Sequence, residues 1–232
     1  MNTKINRLRT VLFFVLANLF ISSSIFAQVK TSTKKLQIDP VKKKEISAKK
    51  EMINKNLLKL PVVGDFAQGG IVFWVDETGK NGLVCAKSDQ SSGIVWFAGT
   101  IGNTGATADG PYTGEANTAK IIEAQGAVGN EYDTYAALIC YDLKITEGGK
   151  TYDDWYLPSR QEYKLMYANR TTINTTATSN GGAAFGNSPS SYWSSTEANN
   201  GSAWTLTFYN GDQARPNKDN KYRVRAIRAF HR

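Results

Sequence analysis

"GGIVFWVDETGKNGLVCAKSD", Gly69 to Asp89, contains two short apolar runs separated by turn residues. Ile71 to Val75 and Leu83 to Ala86 consist of β-branched, aromatic and other apolar residues, which is typical of buried strands. Thr78-Gly79 and Asn81-Gly82 lie between the runs and supply the backbone conformations that a tight turn requires. The segment therefore predicts a strand–turn–strand unit near the start of a folded domain.

The hydrophobic period changes after this unit. Apolar residues recur at three- and four-residue steps from Glu115 to Ala127 and from Tyr132 to Leu143, which predicts two amphipathic helices. In "LPSRQEYKLMYANR", Ser159 is followed three residues later by Glu162, and this spacing predicts a capping box at the start of a third helix. We expect Asn169 and the threonine-rich stretch after it to end that helix.

The C-terminal part returns to strand patterns. Strands are predicted at Ser191 to Ser194, Ala203 to Tyr209 and Tyr222 to Ala229, and an earlier one at Gly93 to Gly99. Strands, then two to three helices, then strands indicate an α+β domain with mixed antiparallel strands and long loops. Regular β–α–β alternation is missing, which argues against a doubly wound sheet.

Two tryptophans flank a polar segment near the C-terminus. Alternation along the strand places Trp204, Leu206 and Phe208 on one face, which we interpret as core. Trp193 is interpreted as core as well, and Asn210-Gly211 predicts a hairpin turn. The polar residues between and after the tryptophans are then the exposed part.

The N-terminus has the pattern of a secretory signal. Lys4, Arg7 and Arg9 precede an apolar run from Val11 to Ile21, and Ala27 provides a small residue for cleavage. The run is shorter than the roughly 20 residues of a membrane span. We therefore expect a signal peptide at 1–27, an exported protein in the periplasm or at the cell surface, and no stable membrane span.

The net charge of +8 is concentrated in one segment. Residues 28–60 contain ten lysines and only three acidic residues, whereas residues 61–232 contain 15 basic and 17 acidic residues. A nucleic-acid-binding fold carries its positive charge on the folded domain, so we expect no nucleic-acid partner. We interpret 28–60 as a lysine-rich tether, helical from about Ile46 to Leu60 or a solvated spacer, and 61–232 as a single domain.

Few residues suit catalysis or metal binding. His231 is the sole histidine, which argues against nucleophile–histidine sites and against zinc. Oxygen donors between Asn210 and Asn220 match no calcium-loop spacing, and turn formation explains them more simply. We expect a protein without enzymatic activity, metal or cofactor.

Cys85 and Cys140 form either one disulfide or two buried thiols, and their apolar neighbours favour buried thiols.

Four blocks, "GGIVFWVD…GLVCAKSDQS", "DWYLPSRQEY", "SYWSSTE" and "YRVRAIRAF", occur in an order and spacing that resembles the Lcl C-terminal domain family. The resemblance covers roughly Val63 to Phe230. It implies a C-type-lectin-like single domain whose first and last strands pair, with long irregular loops before the C-terminal strands. It also implies an extracytoplasmic binding protein, because some members attach to glycosaminoglycans or other glycans.

The polar loops near the C-terminal strands are the predicted recognition surface, with a glycan or a cell-surface protein as partner. For Arg223, Arg225 and Arg228 two interpretations stay open. They pair with carboxylates inside the domain, or Arg223 joins Arg215, Lys218 and Lys221 in an exposed basic rim. An envelope domain with a structural role and, least favoured, a hydrolase are the alternatives. The candidate ligand-binding residues are Tyr209, Asn210, Asp212, Gln213, Arg215, Asn217, Lys218 and Lys221.

Overall fold

The computed structural model describes residues 39–57, 60–99, 102–126, 134–186 and 190–231. The predicted signal peptide at 1–27 lies outside these residues. The chain divides into two units, Met1–Lys55 and Asn56–Arg232. None of the helices within the described ranges combines the length and the apolar character that crossing a membrane requires.

The tether contains helix α1, Pro40–Leu57. Asp39 starts it, since its Oδ1 accepts the Val41 N–H at 2.9 Å, and proline occupies the first helical position, where its missing N–H is not needed. The residues from Pro40 to Met52 are exposed. The predicted helix is thus confirmed, although it begins before Ile46 and ends at Leu57.

The described part of the second unit is an α+β fold, as predicted. Its strands and helices follow in this order: β1 (Phe66–Ala67), β2 (Gly70–Val75), β3 (Asn81–Cys85), β4 (Ser91–Ile94), α2 (Gly114–Gly126), α3 (Ala136–Tyr141), β5 (Ile145–Glu147), β6 (Lys150–Tyr152), α4 (Arg160–Ala168), α5 (Arg170–Ser179), β7 (Ser191–Asn199), β8 (Ser202–Thr207), β9 (Gln213–Ala214), β10 (Tyr222–Val224) and β11 (Ile227–His231).

The first sheet has the order β1-β2-β3-β11 and is buried on both faces. Along β2, Ile71 and Phe73 pack into one apolar cluster and Val72 into another, which explains why this strand is a continuous apolar run. β11 pairs with β3 through register pairs such as Ile227 with Cys85. The expected direct pairing of first and last strands is therefore wrong in detail, because β3 lies between β2 and β11.

The second sheet has the order β4-β10-β7-β8-β9, in which β10 and β7 are parallel and the other neighbours antiparallel. Tyr192 and Trp193, adjacent on β7, are both fully buried, each in a different apolar cluster. The β8–β9 hairpin forms one edge of this sheet and β4 forms the other. These two edges determine where the predicted site residues lie. A separate ribbon consists of β5 and β6.

The strand predicted from Gly93 to Gly99 is wrong for most of its length. The ladder ends at Ile94, and the following residues bond outside the strands: Val95 O accepts the Ala136 N–H and the Trp96 N–H bonds to Lys218 O, both at 3.0 Å. Val95 to Ala98 are nevertheless buried. An apolar run here indicates burial rather than strand pairing.

The threonine-rich stretch does not stop helix formation. α4 ends at Ala168 with Asn169 as its C-cap, as predicted, but α5 starts directly after Asn169. Ile173 and Ala177, four residues apart, are fully buried, and the Thr175 hydroxyl donates to the Thr171 carbonyl oxygen. Burial of one apolar stripe thus outweighs the weak helix propensity of threonine.

The helix predicted from Tyr132 to Leu143 is shorter, spanning Ala136–Tyr141, and part of the predicted range lies outside the described residues. Cys140 in this helix and Cys85 in β3 are fully buried free thiols, which confirms the favoured interpretation. Burial raises the pKa of the Cys85 thiol to about 12 and that of Cys140 well above its usual value. Both therefore act as small apolar side chains.

Candidate functional site

The β8–β9 hairpin presents polar residues at one edge of the second sheet. Gly211 has a φ of 82°, and a Cβ at this position would lie 2.7 Å from the Tyr167 ring, so glycine is required by both backbone and packing. Tyr209 at the tip is 68% exposed. The predicted hairpin is confirmed, and its tip projects an aromatic side chain into solvent.

Trp204 is partly exposed rather than buried in the core. Its strand neighbours Leu206 and Phe208 are buried, as the alternation predicted. However, the group that covers Trp204, the third residue of β8, is the guanidinium of Arg160, the first residue of α4, and not an apolar side chain. The guanidinium carbon of Arg160 is 4.3 Å from the indole centroid and that of Arg215 is 5.2 Å away. The core interpretation of Trp204 was therefore wrong.

Strand register explains why Arg215 reaches Trp204. β8 and β9 pair Thr205 with Ala214 and Leu206 with Gln213, so continuation of this register places Arg215 opposite Trp204. Directly opposed residues in an antiparallel pair have side chains on the same face. The hairpin sequence therefore builds one half of an arginine–tryptophan contact, and α4 supplies the other half.

Arg160 is held in place by the start of α4. Its Nε donates to Asp109 Oδ2 at 2.7 Å, its Nη2 lies 2.6 Å from the same oxygen, and the Gln161 N–H donates to Asp109 Oδ1. The predicted capping box is present, with Ser159 and Glu162 bonding to each other's backbone N–H. The helix start and the loop before it thus position one cation over the Trp204 ring.

Lys218 is not part of an exposed rim. It is 1% exposed, and its ammonium forms an ion pair with Glu197, donates to the Gly102 carbonyl oxygen at 2.8 Å and lies 4.5 Å from the Trp96 ring centroid. Burial lowers the pKa of Lys218, and the partner Glu197 opposes this shift. Because the side chain supports the core, its assignment as a ligand-binding residue is corrected.

Lys221 is exposed but belongs to the opposite edge of the sheet. It precedes β10 and lies beside Gly93 of β4, whereas Arg215 follows β9. Three strands, β10, β7 and β8, lie between the edge strands β4 and β9. The predicted basic rim of Arg215, Lys218, Lys221 and Arg223 is therefore wrong, since Lys218 is buried and Arg223 pairs with Asp89.

The family model of the Lcl C-terminal domain matches residues 86–228. The chain belongs to this family. The matched range starts after β3 and contains the β8–β9 hairpin, Arg160 and its partner Asp109. No curated protein matches the sequence. The lectin-like character that the resemblance implies stays a prediction.

The other candidate residues of this Lcl C-terminal domain cluster around the hairpin. Asn210, Asp212 and Asn217 are exposed, and the Asn210 amide donates to the Asp212 carboxylate while its Oδ1 accepts the Asp212 N–H at 3.1 Å. These contacts satisfy the turn internally. Gln213 is partly exposed, and its Nε2 is buried with no hydrogen-bond partner among the residues that the structure describes. Within the described ranges no group of three or more histidine, cysteine or acidic residues could hold a metal ion.

The C-terminal arginines of the Lcl C-terminal domain pair inside it. Arg225 is fully buried and its Nη2 lies 2.7 Å from Asp89 Oδ1, while Arg223 Nη1 lies 3.0 Å from Asp89 Oδ2. Arg228 pairs with Asp154. The interpretation as internal pairs is confirmed. Arg160 and Asp109 were missed by sequence reasoning, because no local pattern reveals that a capped helix start faces a distant strand.

Glu162 should make stability depend on pH. The carboxyl group is fully buried, and burial raises its pKa to about 7, against the N–H groups of Ser159 and Tyr112 and the hydroxyl of Tyr156 that bond to it. Because the pKa of this carboxyl group is higher in the folded state than in the unfolded state, its protonated form stabilises the folded state at low pH. The free energy of unfolding should therefore fall as pH rises from about 4.5 to about 7.

Melting curves of the wild type and Glu162→Gln across this interval measure the effect. The variant should lack the decline, because its side chain does not titrate. A wild-type melting temperature that rises relative to the variant over the same interval would show that the hydrogen-bond donors outweigh burial.

Proposed function

We propose that this protein is an exported binding module that recognises an acidic glycan through the surface formed by Trp204, Arg215 and the hairpin tip at Tyr209. The supporting observation is the partly exposed indole of Trp204 with two guanidinium groups within 5.2 Å of its centroid. Tryptophan, tyrosine and arginine are the residues enriched at binding hot spots. The resemblance to glycan-binding members of the family points the same way.

Arg215 is the residue that favours an acidic ligand. It is exposed and, within the described ranges, forms no ion pair, whereas the neighbouring Arg160 is already bound to Asp109. A guanidinium pairs with planar carboxylates and with sulfate-type oxygens through two parallel hydrogen bonds. The exposed part of the indole offers an adjacent apolar contact. A sugar bearing a carboxylate or sulfate group complements both features.

Heparin chromatography of the fragment that begins at Asn56 tests this proposal without nine of the ten lysines of the tether. Trp204→Ala and Arg215→Ser should each weaken binding about tenfold or more, as expected for hot-spot residues. Lys221→Ser is the matched control, because it removes one positive charge at the other edge of the same sheet. The interaction should weaken steeply with salt, since exposed charges are screened.

A folded fragment that passes through heparin at low salt, or that loses as much affinity with Lys221→Ser as with Arg215→Ser, would contradict the acidic-glycan proposal. A cooperative melt of each variant establishes that it is folded. If the folded fragment does not bind heparin, a neutral glycan or a cell-surface protein becomes the ligand to test, with a glycan array and with pull-down experiments.

A structural envelope role is the second candidate, and the lysine-rich helix α1, which is exposed from Pro40 to Met52, favours it. The described segment 39–57 contains six lysines and three acidic residues. Retention that requires residues before Asn56, and that Trp204→Ala leaves unchanged, would support this role. Neither candidate role requires a catalytic step.

A further inference from the structure

A cleft of about 310 Å³ opens between three parts of the chain that are far apart in sequence. Its walls come from β1 and the turn after it, from the loop between β3 and β4, and from β5. Phe66, Ala86 and Ile145 provide apolar surface, and Lys87, Ser88 and Glu147 provide polar groups. The cleft shares no lining residue with the Trp204 surface.

The two charged side chains of the cleft do not neutralise each other. Neither Lys87 nor Glu147 forms an ion pair within the described part of the chain. Lys87 Nζ donates to the Asn180 carbonyl oxygen at 3.0 Å, and Glu147 Oε2 accepts the Gly69 N–H at 2.7 Å. Each contact fixes the side chain and leaves further hydrogen-bonding capacity, two ammonium protons on Lys87 and the other carboxylate oxygen on Glu147.

The turn after β1, whose Gly69 N–H binds Glu147, has an uncommon backbone conformation. Gln68 has a φ of 61° and Gly69 a φ of 85°. Arg228 Nη1 donates to the Gln68 carbonyl oxygen at 3.1 Å, and a Cβ at Gly69 would lie 2.7 Å from the Tyr152 ring. Left-handed non-glycine residues cost energy and tend to occur at ligand sites. The turn therefore directs the Gly69 N–H at Glu147 through constraints outside the cleft.

We propose that this cleft binds a small zwitterion, a free amino acid or dipeptide, as a second ligand site. The ligand ammonium group pairs with Glu147, its carboxylate pairs with Lys87 and the Ser88 hydroxyl, and its apolar part contacts Phe66, Ala86 and Ile145. Opposite charges on one cleft select a ligand that carries both complementary charges, since a ligand with one charge leaves the other group unmatched. A volume near the lower end of ligand sites restricts the ligand to a small molecule.

Calorimetric titration of the chain from Gln28 onward with alanine, leucine and alanyl-alanine tests the site. At least one of these zwitterions should bind about tenfold more tightly than its singly charged analogues, for example leucine compared with leucinamide and N-acetylleucine. Glu147→Gln and Lys87→Met should each weaken binding about tenfold or more. In Glu147→Gln the amide oxygen of the new side chain still accepts the Gly69 N–H, so this variant keeps the turn.

Matched controls separate this site from the rest of the surface. Glu115→Gln and Lys221→Met change exposed charges outside the cleft and should leave zwitterion binding unchanged, as should Trp204→Ala. The proposal is overturned if none of the three zwitterions binds, if the singly charged analogues bind equally well, or if Glu147→Gln binds like the wild type. None of these outcomes depends on whether the Trp204 surface binds a glycan.

Discussion

Trp193→Ala is expected to lower the free energy of unfolding by about 3–5 kcal/mol, the range for removing a large aromatic side chain from a core. Trp193 is fully buried, its Nε1 donates to the Ile94 carbonyl oxygen at 2.9 Å, and its ring makes an edge contact with Tyr222 at 4.9 Å. The loss is a large fraction of the total stability of a typical domain. Denaturant unfolding of the fragment from Asn56 measures it.

Trp204→Ala is the matched control for this prediction. The same truncation should cost only about 1–2 kcal/mol, because the ring is partly exposed and two of its contacts are cation–π contacts with arginines. Equal destabilisation by the two variants would contradict the division into one core and one surface tryptophan.

Lys218→Met is expected to destabilise the domain by about 3–5 kcal/mol, because it leaves the buried carboxylate of Glu197 without its cation. Glu197 also accepts the N–H groups of Thr104 and Gly105 at 3.0 and 3.1 Å, so the loop around them should lose protection from hydrogen exchange. Chemical denaturation and amide exchange measure the two effects.

The double variant Lys218→Met with Glu197→Gln distinguishes an uncompensated charge from a simple loss of packing. It should recover part of the stability, since neutralising both partners removes the buried charge. Lys221→Met, in contrast, should change stability by less than about 0.5 kcal/mol. A single Lys218 variant as stable as the wild type would show that the ion pair contributes nothing.

The placement of Lys218 shows where sequence reasoning fails. Asn217, Lys218 and Asp219 form a polar segment that predicts an exposed turn, and two of the three are exposed. Lys218 is buried because Glu197, 21 residues away, and the Gly102 carbonyl oxygen provide partners for its ammonium group. Partners so far apart in sequence leave no local pattern.

Trp204 illustrates a second limit. Alternation along β8 correctly assigns Leu206 and Phe208 to the core, but the polar residues from Ser194 to Glu197, which were expected to be exposed, are buried as well. Alternation does not reveal that Trp204 is covered by the guanidinium of Arg160, because this depends on which residue of α4 lies over the strand. The capping box of Ser159 and Glu162 and the turn at Asn210-Gly211 were predicted correctly, because the geometry of each depends only on residues that are close in sequence.

The Trp204 edge of the second sheet is the proposed ligand-binding surface. The most direct test is an NMR titration of the fragment from Asn56 with a heparin-derived oligosaccharide, in which the indole N–H signals of all tryptophans are followed. We predict that the Trp204 signal shifts together with the Arg215 side-chain signal, while the signals of buried Trp193 and of the Lys221 backbone stay in place. Shifts concentrated at Lys221 and β4, with Trp204 unchanged, would contradict the claim.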